Sequence, residues 1–150
     1  MKERHKIVLS VYLILKTRDG ILLGQRQNTG FEDGNWGLPA GHVEANESAS
    51  DALCREVKEE IGITILAKDL TLVHVSHRRT ERDNIDLFMT CDEWEGTIEN
   101  CEPHKCSKLC FFPLESLPEN IIGYIREVVE AAFRNEFYSE KGWSSALVLS

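Results

Sequence analysis

Glu56, Glu59 and Glu60 lie within the six-residue stretch Arg55-Glu56-Val57-Lys58-Glu59-Glu60. In a helix, residues three and four apart share a face, so these carboxylates crowd one another. Like charges at that spacing cost about 0.2–0.5 kcal/mol per pair. Two arrangements make the crowding tolerable. The acids can spread into solvent as a charged helix face. Alternatively they can hold hard divalent cations, which take oxygen ligands and keep water in their remaining positions. Such cations could bridge a diphosphate, neutralise its oxygens and lower the pKa of an attacking water. Catalysis there is mostly positioning and electrostatics.

The surrounding residues supply a helix to carry the acids. Ser48 is placed to cap its N-terminus, with Asp51 in the first turn. Ala49, Leu53, Val57 and Ile61 repeat every fourth position as an apolar stripe, and Gly62 can end the helix. At 100° per residue the glutamates fall on an arc beside that stripe. One side of the helix is thus expected to pack while the next presents acid.

Upstream, residues 7–16 are apolar and β-branched and read as a central strand. Asp19-Gly20 marks a hairpin, residues 21–26 a returning strand, and the Gly/Asn/Asp-rich residues 27–35 a loop. Residues 36–39 are a short extended segment before Pro39. Downstream, strands are expected from Leu70, from Ile85 and from Lys108 to Pro113, with a loop carrying Pro103 between the last two. Residues 119–136 predict a second amphipathic helix that buries Ile121, Ile122, Ile125, Val128, Val129, Ala132 and Phe133. Residues 137–150 form a tail with three open readings: docking as an extended segment, swapping between subunits, or fraying. Strands, helix, strands, helix is the order of an α+β or mixed α/β sandwich, with helices covering a mixed sheet.

Composition narrows the partners. The chain has 150 residues, enough for one ordinary domain, and a formal net charge of -8. That charge opposes a sequence-independent grip on a nucleic-acid polymer but not the binding of a small phosphorylated ligand. No apolar run is long enough to span a bilayer, and Ser10 and Tyr12 interrupt the N-terminal one, which reads as strand rather than signal peptide. Five cysteines, an odd number, point to free thiols in a reducing compartment and so to the cytoplasm. Cys101, His104, Cys106 and Cys110 are near enough in sequence to raise zinc, though their spacing lacks the usual paired C-x2-C pattern.

The stretch from Gly41 to Ile63 resembles the Nudix box. The family pattern is a glycine, five residues, a glutamate, seven residues, then R-E-aliphatic-x-E-E-x-G-aliphatic. It is met by Gly41, Glu47, Arg55, Glu56, Val57, Glu59, Glu60, Gly62 and Ile63. Residues 34–44 are similar to the usual entry to the box, and the resemblance extends over most of the chain apart from 137–150. It implies one domain over residues 1–150 with an α/β/α sandwich fold and a mixed β-sheet. It also implies hydrolysis of a nucleoside diphosphate linked to another group, with Mg2+ or Mn2+.

By position, the resemblance makes Glu56, Glu59 and Glu60 metal ligands, joined by the backbone carbonyl of Ala40. Arg55 and Glu47 match the pair that orients the box. Glu44 would touch metal through water or lie on the surface. For the general base, Glu102 is the leading loop residue and Glu99 the second, with Glu56 or Glu59 as alternatives. MutT-like relatives place a glutamate three residues before a proline on this loop; here Asn100 stands there. Arg26 would meet phosphates. Arg78 and Arg79 could do the same or stay solvated. Trp36, Phe31 and Phe112 could stack on a base or pack in the core. Asn120 could read a base edge, since an amide both donates and accepts, or start a helix.

The proline typical of ADP-ribose hydrolases and the tyrosine typical of dinucleoside polyphosphate hydrolases are missing near Arg78–Thr80. The leading expectation is therefore a MutT-like hydrolase that takes a (d)NTP to the monophosphate and pyrophosphate, as a monomer or homodimer. An ADP-ribose, nucleotide-sugar or pterin triphosphate hydrolase is the alternative, and a non-catalytic nucleotide-binding domain is a third reading.

Overall fold

The computed structural model of the protein describes residues 2–143. The N-terminal apolar run divides into β1 (Val8–Leu13) and β2 (Lys16–Thr17), rather than forming one strand over residues 7–16. The division has a structural reason, because the two segments belong to different sheets. β3 (Gly20–Arg26) returns antiparallel to β2 as the Asp19-Gly20 signal predicts, with Thr17 opposite Gly20. β4 (Trp36–Gly37) and β5 (Ala40–His42) flank Leu38 and Pro39.

Then come α1 (Ala49–Ile61), β6 (Thr71–Arg79), β7 (Asp83–Thr90), β8 (Cys106–Phe112), α2 (Gly123–Phe133) and β9 (Tyr138–Lys141). One sheet has the order β5-β1-β7-β6-β9; in the other, β3 pairs with β2, β4 and β8. Both sheets contain antiparallel pairs, and β1–β7 and β6–β9 are parallel, so the first sheet is mixed.

β1 is buried on both faces, which is why it reads as a continuous apolar run. Val11 and Leu13 pack with Leu53, Val57 and Ile61 of α1. Tyr12 and Ile14 point the other way and pack with Ile125, Val128 and Val129 of α2. Helix, sheet and helix therefore form three layers. Burying each large aliphatic side chain of this kind contributes about 1.5–3 kcal/mol.

α1 has the expected ends. Ser48 accepts a hydrogen bond from the Asp51 amide at 3.1 Å, and Gly62 closes the helix in the left-handed conformation with φ 76°. Ala52 joins the buried stripe, while Ala49 is only partly covered. α2 is shorter than the 119–136 expected. The backbone of residues 120–122 bonds to Trp36 instead, through Trp36 N to Asn120 O and Ile122 N to Trp36 O, both 2.9 Å. At the far end Phe133 is exposed and Ala131 is buried in its place.

The tail docks as an extended segment. β9 lies parallel to β6, and residues 144–150 fall outside the described residues. His74 is fully buried beneath it and bonds through Nδ1 to the Glu136 carbonyl and through Nε2 to the Ser139 hydroxyl, both 2.8 Å. Among the described residues no helix is long and apolar enough to cross a membrane.

Ser139→Ala should leave Nε2 of His74 buried without its hydroxyl partner. An unsatisfied buried group costs about 1–3 kcal/mol. Urea unfolding of the variant should show that loss; unchanged stability would mean the tail does not hold His74.

Candidate active site

α1 and β5 build the acidic face together. β5 runs antiparallel to β1, with Gly41 opposite Val11, and this brings its backbone beside α1. A Cβ on Gly41 would overlap the Glu56 carboxyl group, so glycine at this point is a matter of space. The Ala40 amide donates to Glu60 Oε1 at 3.2 Å.

Arg55 gathers the remaining acids. Its Nε and Nη2 donate to the two oxygens of Glu47 at 3.1 and 2.8 Å, a bidentate pair. Nη1 donates to Glu56 at 2.9 Å and stands 3.6 Å from Glu59, while Nη2 also reaches the His42 carbonyl at 3.2 Å. Glu44 is 3.7 Å from Nη2 and largely exposed. Hydrogen bonds from Arg55 hold the Glu47 carboxyl below its ordinary pKa.

A cleft of about 400 Å³ opens over this face. Glu56, Glu59, Glu60 and Ala40 line one wall, with Arg26, Glu102 and Lys105 also on its surface. Glu102 arrives on a loop that packs against the end of α1. The amides of Glu99 and Cys101 donate to the Ile61 and Glu60 carbonyls, each at 3.0 Å. The Asn100 side chain accepts from the Glu102 amide at 3.1 Å and donates to the Cys106 carbonyl at 2.6 Å. The residue that departs from the MutT-like loop pattern thus fastens the loop that carries Glu102. Glu99 lies beside Gly62 and Cys101 and does not line the cleft.

Negative charge in the cleft is poorly compensated. Burial raises the Glu60 carboxyl to about 8, and the nearby charges of Glu56 and Glu102 add to the rise. Burial also raises Glu56, against the opposing pull of Arg55. The donor set is all oxygen, which suits a hard divalent cation, and a cation there would relieve the charge that holds Glu60 protonated. Among the described residues, however, no three side chains form a ready-made metal site. Glu56 and Glu59 would have to turn from Arg55 toward the ion. Cys101, His104, Cys106 and Cys110 form no such group either, and all five cysteines are free thiols.

A second cavity, of about 450 Å³, shares Arg26, Gly37, Leu38 and Ala40 with the cleft. Arg26 is steered by its Nε bond to the Phe31 carbonyl at 2.8 Å, and its guanidinium lies 5.4 Å from the Phe31 ring centre. Phe31 is half exposed at this cavity. Trp36 lines neither space. It is buried and packs edge-on against Phe112 at 4.8 Å, because its strand is pinned between β3 and residues 120–122. Asn120 also lines neither, since its amide donates to the Gly34 carbonyl at 2.8 Å, and it precedes α2 rather than starting it.

A NUDIX domain model matches residues 4–138. The chain belongs to the Nudix family. It is 30% identical over 98 residues to the 8-oxo-dGTP diphosphatase of Proteus vulgaris, covering 65% of this chain and 87% of that protein. It is 34% identical over 107 residues to the ADP-ribose pyrophosphatase of Methanocaldococcus jannaschii, covering 71% of this chain and 62% of that protein. The crystal structure of a MutT NUDIX hydrolase from Burkholderia pseudomallei superposes with a TM-score of 0.76 at 26% identity, covering 84% of this chain and 98% of that one. This Nudix hydrolase acts on nucleotide diphosphate linkages, and the family uses divalent metal ions.

Sequence reasoning misplaced Arg78. It is buried and paired with Asp86 rather than solvated. Arg79 is exposed, with its guanidinium 5.2 Å from the Trp143 ring centre. Reasoning from sequence also missed Lys105, although it lies three residues after Glu102. Tyr12, Tyr124, His42 and Arg82 of the second cavity carried no signal, because residues far apart in sequence compose it.

The shift on Glu60 has a consequence for stability. The folded, metal-free protein favours the protonated acid, whereas the unfolded chain releases that proton near pH 4.5. Metal-free stability should therefore fall as pH rises from about 4.5 through about 8. Glu60→Gln should flatten that part of the curve. Thermal unfolding at several pH values, without and with Mg2+, measures this; an identical slope in the variant would discount Glu60 as the source.

Proposed function

We propose that this Nudix hydrolase is MutT-like and converts a nucleoside triphosphate to the monophosphate and pyrophosphate with Mg2+, for which Mn2+ can substitute. The observation that carries this reading is the junction at Arg26. An acid-lined cleft suited to cations meets, at a guanidinium, a cavity with an aromatic ring at its edge. That is the order of parts in a metal-bound polyphosphate joined to a nucleoside.

Glu56, Glu59, Glu60 and the Ala40 carbonyl would hold the ions. When bound, the ions neutralise phosphate oxygens and lower the pKa of water. Arg26 binds the phosphate nearest the nucleoside, and Lys105 meets the polyphosphate from the loop side. Glu47 keeps Arg55 in place, and Arg55 holds Glu56 until an ion takes over its carboxylate. Glu102 takes the proton from the attacking water as its oxygen bonds to phosphorus and the bridging P–O bond breaks. The chain acts as one domain in a reducing cytoplasm, in keeping with its free thiols, as a monomer or homodimer. ADP-ribose hydrolysis is the second reading, favoured by the Methanocaldococcus jannaschii relative.

A panel of nucleotides assayed with and without Mg2+ or Mn2+, with products weighed by mass spectrometry, tests the proposal. Monophosphate plus pyrophosphate is the expected pair. AMP plus ribose phosphate from ADP-ribose alone would favour the second reading, and no cleavage with either metal would overturn both. Glu59→Gln should lower kcat by about 100-fold or more, since a metal contributes several kcal/mol. Glu102→Gln should lower it by about 100- to 10,000-fold. Near-normal turnover in either variant would remove the role assigned to that residue.

A further inference from the structure

Arg78 projects from β6 toward Asp86 of β7, and its Nε donates to Asp86 Oδ2 at 2.7 Å while Nη2 reaches Oδ1 at 3.4 Å. The Asp86 carboxylate is fully buried and Arg78 is only 8% exposed. The guanidinium lies 4.0 Å from the ring centre of Tyr124 in α2. Behind them, the Tyr12 hydroxyl touches Asp86 Oδ1 at 3.4 Å and the Tyr124 hydroxyl at 3.0 Å. These contacts fix the guanidinium but leave Nη1 without a hydrogen-bond partner among the described residues. Nor is Nη1 sealed in, because the only fully enclosed side-chain polar atom lacking a partner among those residues is Ser76 Oγ. Arg78 lines the second cavity, and Nη1, unpartnered among the described residues and not enclosed, is the guanidinium nitrogen left free to meet a ligand there.

We propose that Arg78 reads the ring of the bound nucleotide and favours bases that carry a carbonyl oxygen (guanine, cytosine or uracil) over adenine. This rests on the reading that the second cavity holds the nucleoside. An ion pair to Asp86 accounts for Nε and Nη2, and it does not use Nη1. Because Asp86 supplies a full opposing charge, the floor is close to neutral and offers little to a phosphate. It does offer the fixed, charge-assisted N–H donors of Nη1 to a neutral acceptor. Leu38, Ile122 and Ile125 add apolar surface suited to a flat ring. The carbonyl oxygen at the 6-position of guanine, or the ring carbonyl of a pyrimidine, accepts from Nη1, whereas the amino group that adenine carries at the 6-position would oppose it.

Two measurements test this. The first is calorimetric binding of GMP, CMP, UMP and AMP to the wild-type protein, which needs no hydrolysis. At least one carbonyl-bearing base should bind about 10- to 150-fold more tightly than AMP, the range for a hydrogen bond to a charged group. AMP binding as tightly as the best of the others would overturn the proposal. The second compares kcat/KM for the four nucleoside triphosphates in the paired variant Arg78→Met/Asp86→Asn, which removes both charges and strands neither. The ratio of carbonyl-base to adenine substrates should fall toward one. An unchanged ratio would reduce Arg78 to a scaffold. If the pair does not fold, Arg78→Lys with Asp86 retained should lower the same ratio. Should no triphosphate be cleaved, the hydrolase reading fails by itself and the monophosphate series still decides the role of Arg78.

Discussion

Arg55 faces four carboxylates, those of Glu44, Glu47, Glu56 and Glu59, and the shape of the acidic cleft depends on that convergence. Without a cation, the mutual repulsion of the helix acids has few outlets. Some are held by Arg55, and Glu60, which is beyond its reach, keeps a proton instead. The bidentate grip of Glu47 is what allows one guanidinium to serve this purpose, because it fixes the plane from which Nη1 meets Glu56. A cation in the cleft would compete with Arg55 for Glu56 and Glu59 and with the proton for Glu60.

The fold serves this cluster by bringing rigid backbone close to it. Gly41 permits Glu56 to lie against β5, and the Ala40 amide meets Glu60 on the same strand. The two core clusters on opposite faces of β1 hold α1 and α2 against the sheet, so the α1 wall of the cleft stands on a packed layer. Arg26, on the strand of the second sheet, stands where the cleft and the second cavity join. Charged groups on firm supports suit chemistry that relies on positioning.

Much of the architecture was legible in order along the chain. The limits of α1 followed from Ser48 and Gly62, because capping is a local transaction between neighbours. The hairpin at Asp19-Gly20 and the doubly buried β1 were legible for the same kind of reason. The end of β1 and the start of α2 were not. Both are set by partners distant in sequence: the switch of sheets between Leu13 and Lys16, and the bonds from residues 120–122 to Trp36. Trp36 and Asn120 matched plausible ligand-contacting types, yet packing and a single amide bond turned them elsewhere.

The sequence by itself determined the acid helix, its caps, its buried stripe and the box that identifies the family, since each depends on residues a few positions apart. Only the tertiary structure decided what stands opposite that helix. Glu102 and Lys105 come from a loop more than forty positions later in the chain. The pairing of Arg78 with Asp86 under Tyr12 and Tyr124 needs two strands in register and a helix laid across them. Contacts of this kind are made by strand pairing and layer packing, whose partners no local spacing records.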